Sequence, residues 1–481
     1  MPIFSLPGPY GCGTLGEEAR AFVDRLSEGG FGWWQTLPLC LPGAGNSPYM
    51  SYAASSLNYA FVDPDTLYEE GLLRREELIG ARQSQPYLCE YAHLGEERYA
   101  LLCRAASRVH DRNPVYEFLH RHPSVAEFCR FMALREQNRN LPFRAWQETL
   151  PEEERVYRWG FTQYEFLRQW DALHAYAATH GVHIMGDMPI YVSYESADVR
   201  EHPHLFLLRK DGTPAAVAGV PPDCFSEDGQ LWGNPLYDWA AMAEEGYAWW
   251  TDRMAFAGRM FDGVRIDHFR AFSSYYRIPA HAKTAREGEW VPGPGLALTD
   301  RLAKAVPHCQ IVAEDLGGNT EEVRRLLQES GFPGMRVLQF AFEEDGDNPH
   351  LPHNYAYNCV AYTGTHDNNT LLGYLTEMAP DRRTRLFQYC GYTGEDLRAG
   401  IRFVIRALLS SHAGLCIFPV QDLLGYGADT RINRPGTAEG NWQVRLTAEQ
   451  LSSVDWKGYA RENALYFRTP RVLRQTLPVN L

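Results

Sequence analysis

Acidic residues stand directly behind short apolar runs at four places in this chain: Asp187 in MGDMP, Asp267 in VRIDH, Glu314 with Asp315 in VAEDLG, and Asp367 in TGTHDNN. Buried carboxylates without partners are costly, so their recurrence at the ends of apolar segments needs a cause. Local capping or ion pairing would account for any one of them. Metal ligation is a second reading, because His268 and His366 adjoin two of the acids. Against it, there is no HExxH or comparable ligand spacing, and neighbouring residues on a strand point to opposite faces. A third reading is glycosyl transfer through two carboxyl groups, one as nucleophile and one as acid and base, set about 5 Å apart in retaining enzymes. In GVRIDHFRAF, Arg265 precedes Asp267 by two residues and so shares its strand face, where a fixed cation favours the ionised acid. By the same alternation, His268 is expected to face outward and serve packing.

Eight apolar runs ending in polar residues supply the strands that would hold these acids. They are Phe31–Leu39, Tyr59–Asp63, Val182–Val192, Gly263–Asp267, Gln310–Gly317, Met335–Phe342, Val360–Asn368 and Leu415–Asp422. Helix patterns lie between them: EEVRRLLQESG stripes Val323, Leu326 and Leu327 and stops at Gly331, and GIRFVIRALLSSHAG repeats the device toward Gly414. Alternating strand and helix predict an α/β protein, a (β/α)8 barrel of the TIM type whose strand C-termini gather the acids at one mouth. Residues 1–66 would begin that barrel with strands 1 and 2. A mainly helical insertion follows at 67–160, with helix spacing continuing through Phe161, Tyr164, Leu167, Trp170 and Leu173. Residues 161–481 would complete the barrel as one compact catalytic unit. Its Pro/Gly-rich, aromatic stretch at 216–239 reads as a loop insertion.

Composition narrows the possible partners. A formal charge of -14 repels phosphate backbones and anionic membrane surfaces, which argues against nucleic acid and membrane as partners. No stretch approaches the roughly 20 apolar residues of a bilayer span, and the N-terminal residues lack the order of a signal peptide. The ten cysteines are scattered without CxxC pairs, as in a reducing cytoplasm. Aromatic residues make up 13% of the chain, enough to spare some for a groove that packs on the C–H faces of sugar rings. There is no GxGxxG or P-loop, and a covalent intermediate needs no redox or phosphate carrier, so no cofactor and no metal are expected.

The motifs SLPGPYGCGTLG, WWQTLPL, NSPYMS, GDMPIYV, AGVPPD, GQLWGNPLY, VRIDHFRAF, AEDLG, PGMRVLQFAF, LPHNY, YTGTHDNNT, PVQD and GNWQVR run in order along nearly the whole chain. In this ordered set the chain resembles the amylomaltases, the 4-α-glucanotransferases of glycoside hydrolase family 77. The resemblance implies a retaining double displacement on α-1,4-glucans such as maltooligosaccharides and starch- or glycogen-derived dextrins. It implies Asp267 as nucleophile, Glu314 as general acid and then base, and Asp367 as the third acid on the distorted ring. It further implies substrate contacts at Ser47, Tyr49, Asp187, Phe225, Trp232, Arg265, His366 and Asn441. Glu314 must carry a proton when the donor arrives, so its pKa is expected above that of Asp267.

Two departures stand out. Cys224 occupies a place where close members carry an aromatic residue, and SYAASSLNYAF replaces the family's Ala-Gly-Asn-Pro wording. Neither touches the acids. A hydrolase of α-glucans using the same carboxylates is the alternative reading, and a catalytically silent glucan-binding protein is a further one.

Overall fold

The structure is a computed structural model that describes residues 1–147, 149–222, 227–317, 320–343, 346 and 348–468. In chain order its strands are β1 (Trp33–Gln35), β2 (His183–Met188), β3 (Ala216–Val220), β4 (Gln230–Pro235), β5 (Gly263–Ile266) and β6 (Ser274–Pro279). They continue with β7 (Glu289–Pro292), β8 (Gln310–Ala313), β9 (Gly334–Val337), β10 (Cys359–Tyr362) and β11 (Leu415–Ile417). One parallel sheet joins them in the order β1-β2-β5-β8-β9-β10-β11, and a second, antiparallel sheet has the order β4-β3-β6-β7.

Side-chain alternation shows how the parallel sheet curls. Met185, Val312, Met335, Val337, Val360 and Tyr362 form one buried cluster, joined by Trp33 from β1 and by Leu415 and Ile417 from β11. Residues from the first and last strands can share that cluster only if the sheet wraps on itself. The Tyr362 hydroxyl, which donates to Gln35 Oε1 at 2.9 Å, ties β10 back to β1. Residues of opposite parity, among them Trp34, Ile184, Val264, Ile266, Ile311 and Ala361, belong to the outer core beneath the helices. This is the (β/α)8-type architecture expected of alternating strands and helices.

Seven of the eight expected strands are present. The exception is Tyr59–Asp63, where Tyr59–Phe61 forms a 3-10 helix capped by Asn58, whose side chain accepts from the Ala60 N–H. β1 pairs directly with β2, so no ladder position is open between them. Apolar content alone could not separate a strand from a buried turn here. Asp63 instead caps the next helix, Pro64–Glu69, by accepting from the Thr66 N–H. From there to Thr179 the described chain is a succession of helices ending in the long helix Glu153–Thr179. No helix among the described residues is long and apolar enough to cross a membrane.

The stretch at 216–239 is not the loop that its Pro and Gly content predicts. It contributes β3 and β4, which pair antiparallel, and β3 pairs in turn with β6. Gly219 permits the close approach, since a Cβ there would lie 2.1 Å from the Gln230 carbonyl oxygen. The resulting small sheet stands beside the barrel mouth and forms one wall of the site.

Candidate active site

Inward parity places Asp187 within β2, Asp267 just beyond β5 and Glu314 just beyond β8, all at the same end of the barrel. Asp315 has the opposite parity and a structural task. It accepts from the Met335 N–H at 2.7 Å and from Arg336 at 3.1 Å, stitching β8 to β9. The mouth opens into a cleft of about 640 Å³. Ser47, Tyr49, Trp232, Asp267, Glu314, His366 and Asp367 all line it.

Arg265 organises the floor. Its guanidinium contacts both oxygens of Asp187 at 2.8 Å and Asp267 Oδ1 at 2.9 Å, with the Arg265 and Asp187 side chains almost wholly buried. Asp187 also accepts from the Tyr49 hydroxyl at 2.7 Å. Asp187 and Arg265 therefore lie beneath the cleft wall and touch it through Asp267 and Tyr49. Arginine suits this position because a planar fork can hold two carboxylates at once.

Glu314 is fixed by the backbone on both oxygens. Oε1 accepts from the Leu316 N–H and Oε2 from the His268 N–H, each at 2.7 Å. Asp367 accepts from the Asn433 side chain at 2.6 Å and lies 3.3 Å from His366 Nε2. His366 stacks on Tyr49 with ring centroids 5.2 Å apart, and burial holds its imidazole below the usual pKa. Ser47 accepts from the Tyr49 N–H at 3.3 Å, which shapes the turn that presents the tyrosine.

Burial is the leading influence on both central carboxyls. It raises Glu314 above the ordinary carboxylate range, against the pull of Arg265 and of two backbone N–H groups. It raises Asp267 to about 8, with Arg265 opposing and Asp187, Glu314 and Asp367 adding to the rise. The Asp267 side chain keeps 28% of its surface open, so cleft water offsets part of this desolvation. The sequence expectation of a raised Glu314 above an ordinary Asp267 is thus modified. Crowded carboxyls in one desolvated space resist joint ionisation, and both rise.

Three expected positions fare differently. Asn441 lies beside the cleft, not on its wall. Its Oδ1 accepts from the Arg434 N–H at 2.8 Å and its Nδ2 donates to the Thr437 carbonyl at 3.0 Å, closing a loop that presents the next residue, Trp442, to the cleft. His268 does not face outward. The strand ends at Ile266, and a left-handed backbone at His268 (φ 48°) turns its ring onto the cleft wall. Phe225 lies outside the described residues, as does Cys224.

Sequence reasoning missed Tyr191, Arg270, Trp290, Asn433 and Trp442, all of which line the cleft. Arg270 lies 3.7 Å from the centre of the Trp290 ring. Trp442 adjoins Asn441 in GNW and could have been found there. Trp290 sits on β7 of the small sheet, a segment to which the sequence analysis assigned no element.

A parallel barrel whose mouth gathers three acids, two of them raised in pKa, between aromatic walls fits a glycosyl-transferring enzyme of the retaining glycoside hydrolase type. Comparison with known proteins agrees: residues 1–451 match the family model described as 4-alpha-glucanotransferase. The chain is 41% identical to the 4-alpha-glucanotransferase of Thermus thermophilus over 472 residues, covering 93% of this chain and 94% of the relative. It is 40% identical to that of Streptococcus pneumoniae over 490 residues, covering 97% and 96%. The amylomaltase of Streptococcus agalactiae, solved in complex with acarbose, superposes with a TM-score of 0.92 at 36% identity, covering 98% of each chain. The chain belongs to the 4-alpha-glucanotransferase family, glycoside hydrolase family 77, and is an enzyme of that type, transferring glucan segments from donor to acceptor.

Proposed function

We propose that the reaction is a double displacement in which Asp267 attacks the anomeric carbon of an α-1,4-glucan while Glu314 protonates the leaving oxygen. The released chain departs, a covalent glucosyl-enzyme remains, and Glu314 then takes the proton of an acceptor's 4-hydroxyl as that oxygen displaces Asp267. The ion pair with Arg265 favours the negative charge on Asp267, which leaves the proton on Glu314 when donor enters. Asp367 and His366 hold hydroxyls of the distorted sugar, and Ser47, Tyr49 and Trp232 flank it. Asp187 and Arg265 keep the nucleophile in place from below.

The observation that carries this reading is the convergence of Asp267, Glu314 and Asp367 on one aromatic-walled cleft, with Asp267 held by a buried cation. Aromatic walls favour transfer over hydrolysis because they bind a sugar acceptor and displace water before the intermediate reacts. A cytoplasmic location belongs to the same proposal, supported by the unpaired state of every described cysteine. Incubation with maltotriose tests the reaction: oligosaccharides longer than the substrate are expected beside glucose. A product set holding shorter sugars alone would reject transfer in favour of hydrolysis.

A further inference from the structure

The loop that carries His366 and Asp367 follows β10, which ends at Tyr362, and runs to the helix Leu371–Glu377. Both ends of that loop meet on one side chain. Asp422, in the short helix Val420–Leu424 after β11, accepts from the Thr363 hydroxyl at 2.6 Å on Oδ2 and from the Leu371 N–H at 2.7 Å on Oδ1. These partners stand 59 and 51 residues away along the chain, so the contact exists only once β10 and β11 are paired. Thr363, Leu371 and Asp422 are all buried. The loop is also held at single points along its length. Gln339 Nε2 donates to the Asn369 carbonyl at 2.8 Å, and the Asn433 N–H donates to the His366 carbonyl at 3.1 Å.

A buried carboxylate without a cation is costly and needs a reason. Among the described residues no lysine, arginine or histidine pairs with Asp422. Burial pushes its pKa up to about 6, so at neutral pH it is still ionised. Its neighbours explain why an acid stands here. A hydroxyl and a backbone N–H both donate, and a carboxylate accepts from both at once. Asparagine keeps both bonds only by reversing the Thr363 hydroxyl, whose proton is then buried without an acceptor. Drawing both ends of the loop onto one group fixes its span, and with it the place of the two residues that it presents to the cleft. A displacement of about 1 Å in such groups is enough to cost about 100-fold in rate.

We propose that Asp422 is a positioning residue for the transfer reaction: by holding Thr363 and Leu371 on one carboxylate it sets the loop that places Asp367 and His366 against the distorted sugar. The inference rests on the role assigned above to Asp367. It is tested by a double-mutant cycle of Asp422→Ala, Asp367→Asn and the two together, with Asp422→Asn as the conservative variant. Initial rates are read with α-maltosyl fluoride, whose ready leaving group keeps slow variants measurable, over graded donor concentrations that separate kcat from KM.

Asp422→Ala alone is expected to lower kcat about thirtyfold while KM moves less than about threefold, because the acid that it places acts on the distorted ring. Asp422→Asn, which keeps the Leu371 bond, should recover part of the loss. In the Asp367→Asn background the Asp422→Ala change should cost less than about threefold, since the group that it places is already gone. An equal loss in both backgrounds would overturn the proposal and assign Asp422 to stability alone, which lowers the folded fraction whatever else the site holds. An unchanged kcat in Asp422→Ala would overturn it as well. If Asp422→Ala does not fold, the cycle is run with Thr363→Val, which cuts one end of the loop free, and with Thr363→Ser, which keeps the hydroxyl. A loss in Thr363→Val that is spared in Thr363→Ser and absent beside Asp367→Asn supports the proposal; full activity in Thr363→Val, or the same loss in both backgrounds, refutes it. An Asp367→Asn enzyme with undiminished kcat refutes the role of Asp367 itself, whereas an impaired one beside equal losses in both backgrounds refutes only the positioning by Asp422.

Discussion

Replacing Glu314 by glutamine separates its two tasks. The carboxylate accepts two backbone N–H bonds of 2.7 Å, one on each oxygen. A carboxamide has one oxygen, so one N–H must face an NH2 group, and the lost bond costs about 1–3 kcal/mol of stability. The amide also has no proton to give. Losing a general acid removes about 10²- to 10⁴-fold in rate, or about 3–5 kcal/mol of transition-state stabilisation, on a natural maltooligosaccharide donor. Fluoride needs little protonation to leave, so the first step with maltosyl fluoride is expected to stay within about tenfold of the unaltered enzyme. The second step still lacks its base, and the glucosyl-enzyme should accumulate. The assays are fluoride release, product formation from maltotriose, and intact-protein mass spectrometry with peptide mapping of the adduct to Asp267. Equal losses on both donors, or an adduct mapped to another residue, would refute the division of labour between Asp267 and Glu314.

Arg265→Met should destabilise the fold by about 3–5 kcal/mol in denaturant titration, because it strands the buried Asp187 and leaves Asp267 without its cation; a loss under 1 kcal/mol would contradict the shared ion pair. Trp442→Ala is expected to raise the KM for maltooligosaccharides about tenfold by removing a cleft wall. Asn441→Ala, which loosens a loop beside that wall, should change KM less than threefold; the reverse order would return Asn441 to the sugar. Below the strands, Asp262 accepts from His174 at 3.0 Å and from the Ile184 N–H at 2.8 Å. Burial opposes its ionisation, but these bonds win and its pKa lies below the usual range. A depressed acid contributes stability above its unfolded pKa near ~3.9 and loses it as pH falls further. His174 is raised by the same pair, so its share is complete below ~6.5 and fades as pH rises through its folded value. Asp262→Asn should therefore cost about 1 kcal/mol between pH ~4 and ~6.5, allowing for the partial exposure of both groups, with the gap from the unaltered protein closing in more acidic solution. A gap that widened below pH 4 would show the pairing to be misread.

Much of this protein is written in local pattern. Short apolar runs followed by acids mark β2, β5 and β8, and strand parity alone puts Asp187, Arg265 and Asp267 on one inner face. Pattern misleads where a chain segment is apolar for a reason other than a ladder, as at Tyr59–Phe61, or where ladder strands lie in a proline- and glycine-rich stretch, as at β3 and β4. The acids' identities, the inner face they share and the barrel that gathers them follow from order and spacing, since those depend on the backbone period of two. The turn that swings His268 onto the cleft, the two backbone bonds that seat Glu314, the wall made by Trp290 and Trp442, and the rise of Asp267 belong to the folded molecule. Each depends on groups far apart in the chain being packed together away from water, and neither that proximity nor that desolvation exists until the barrel closes.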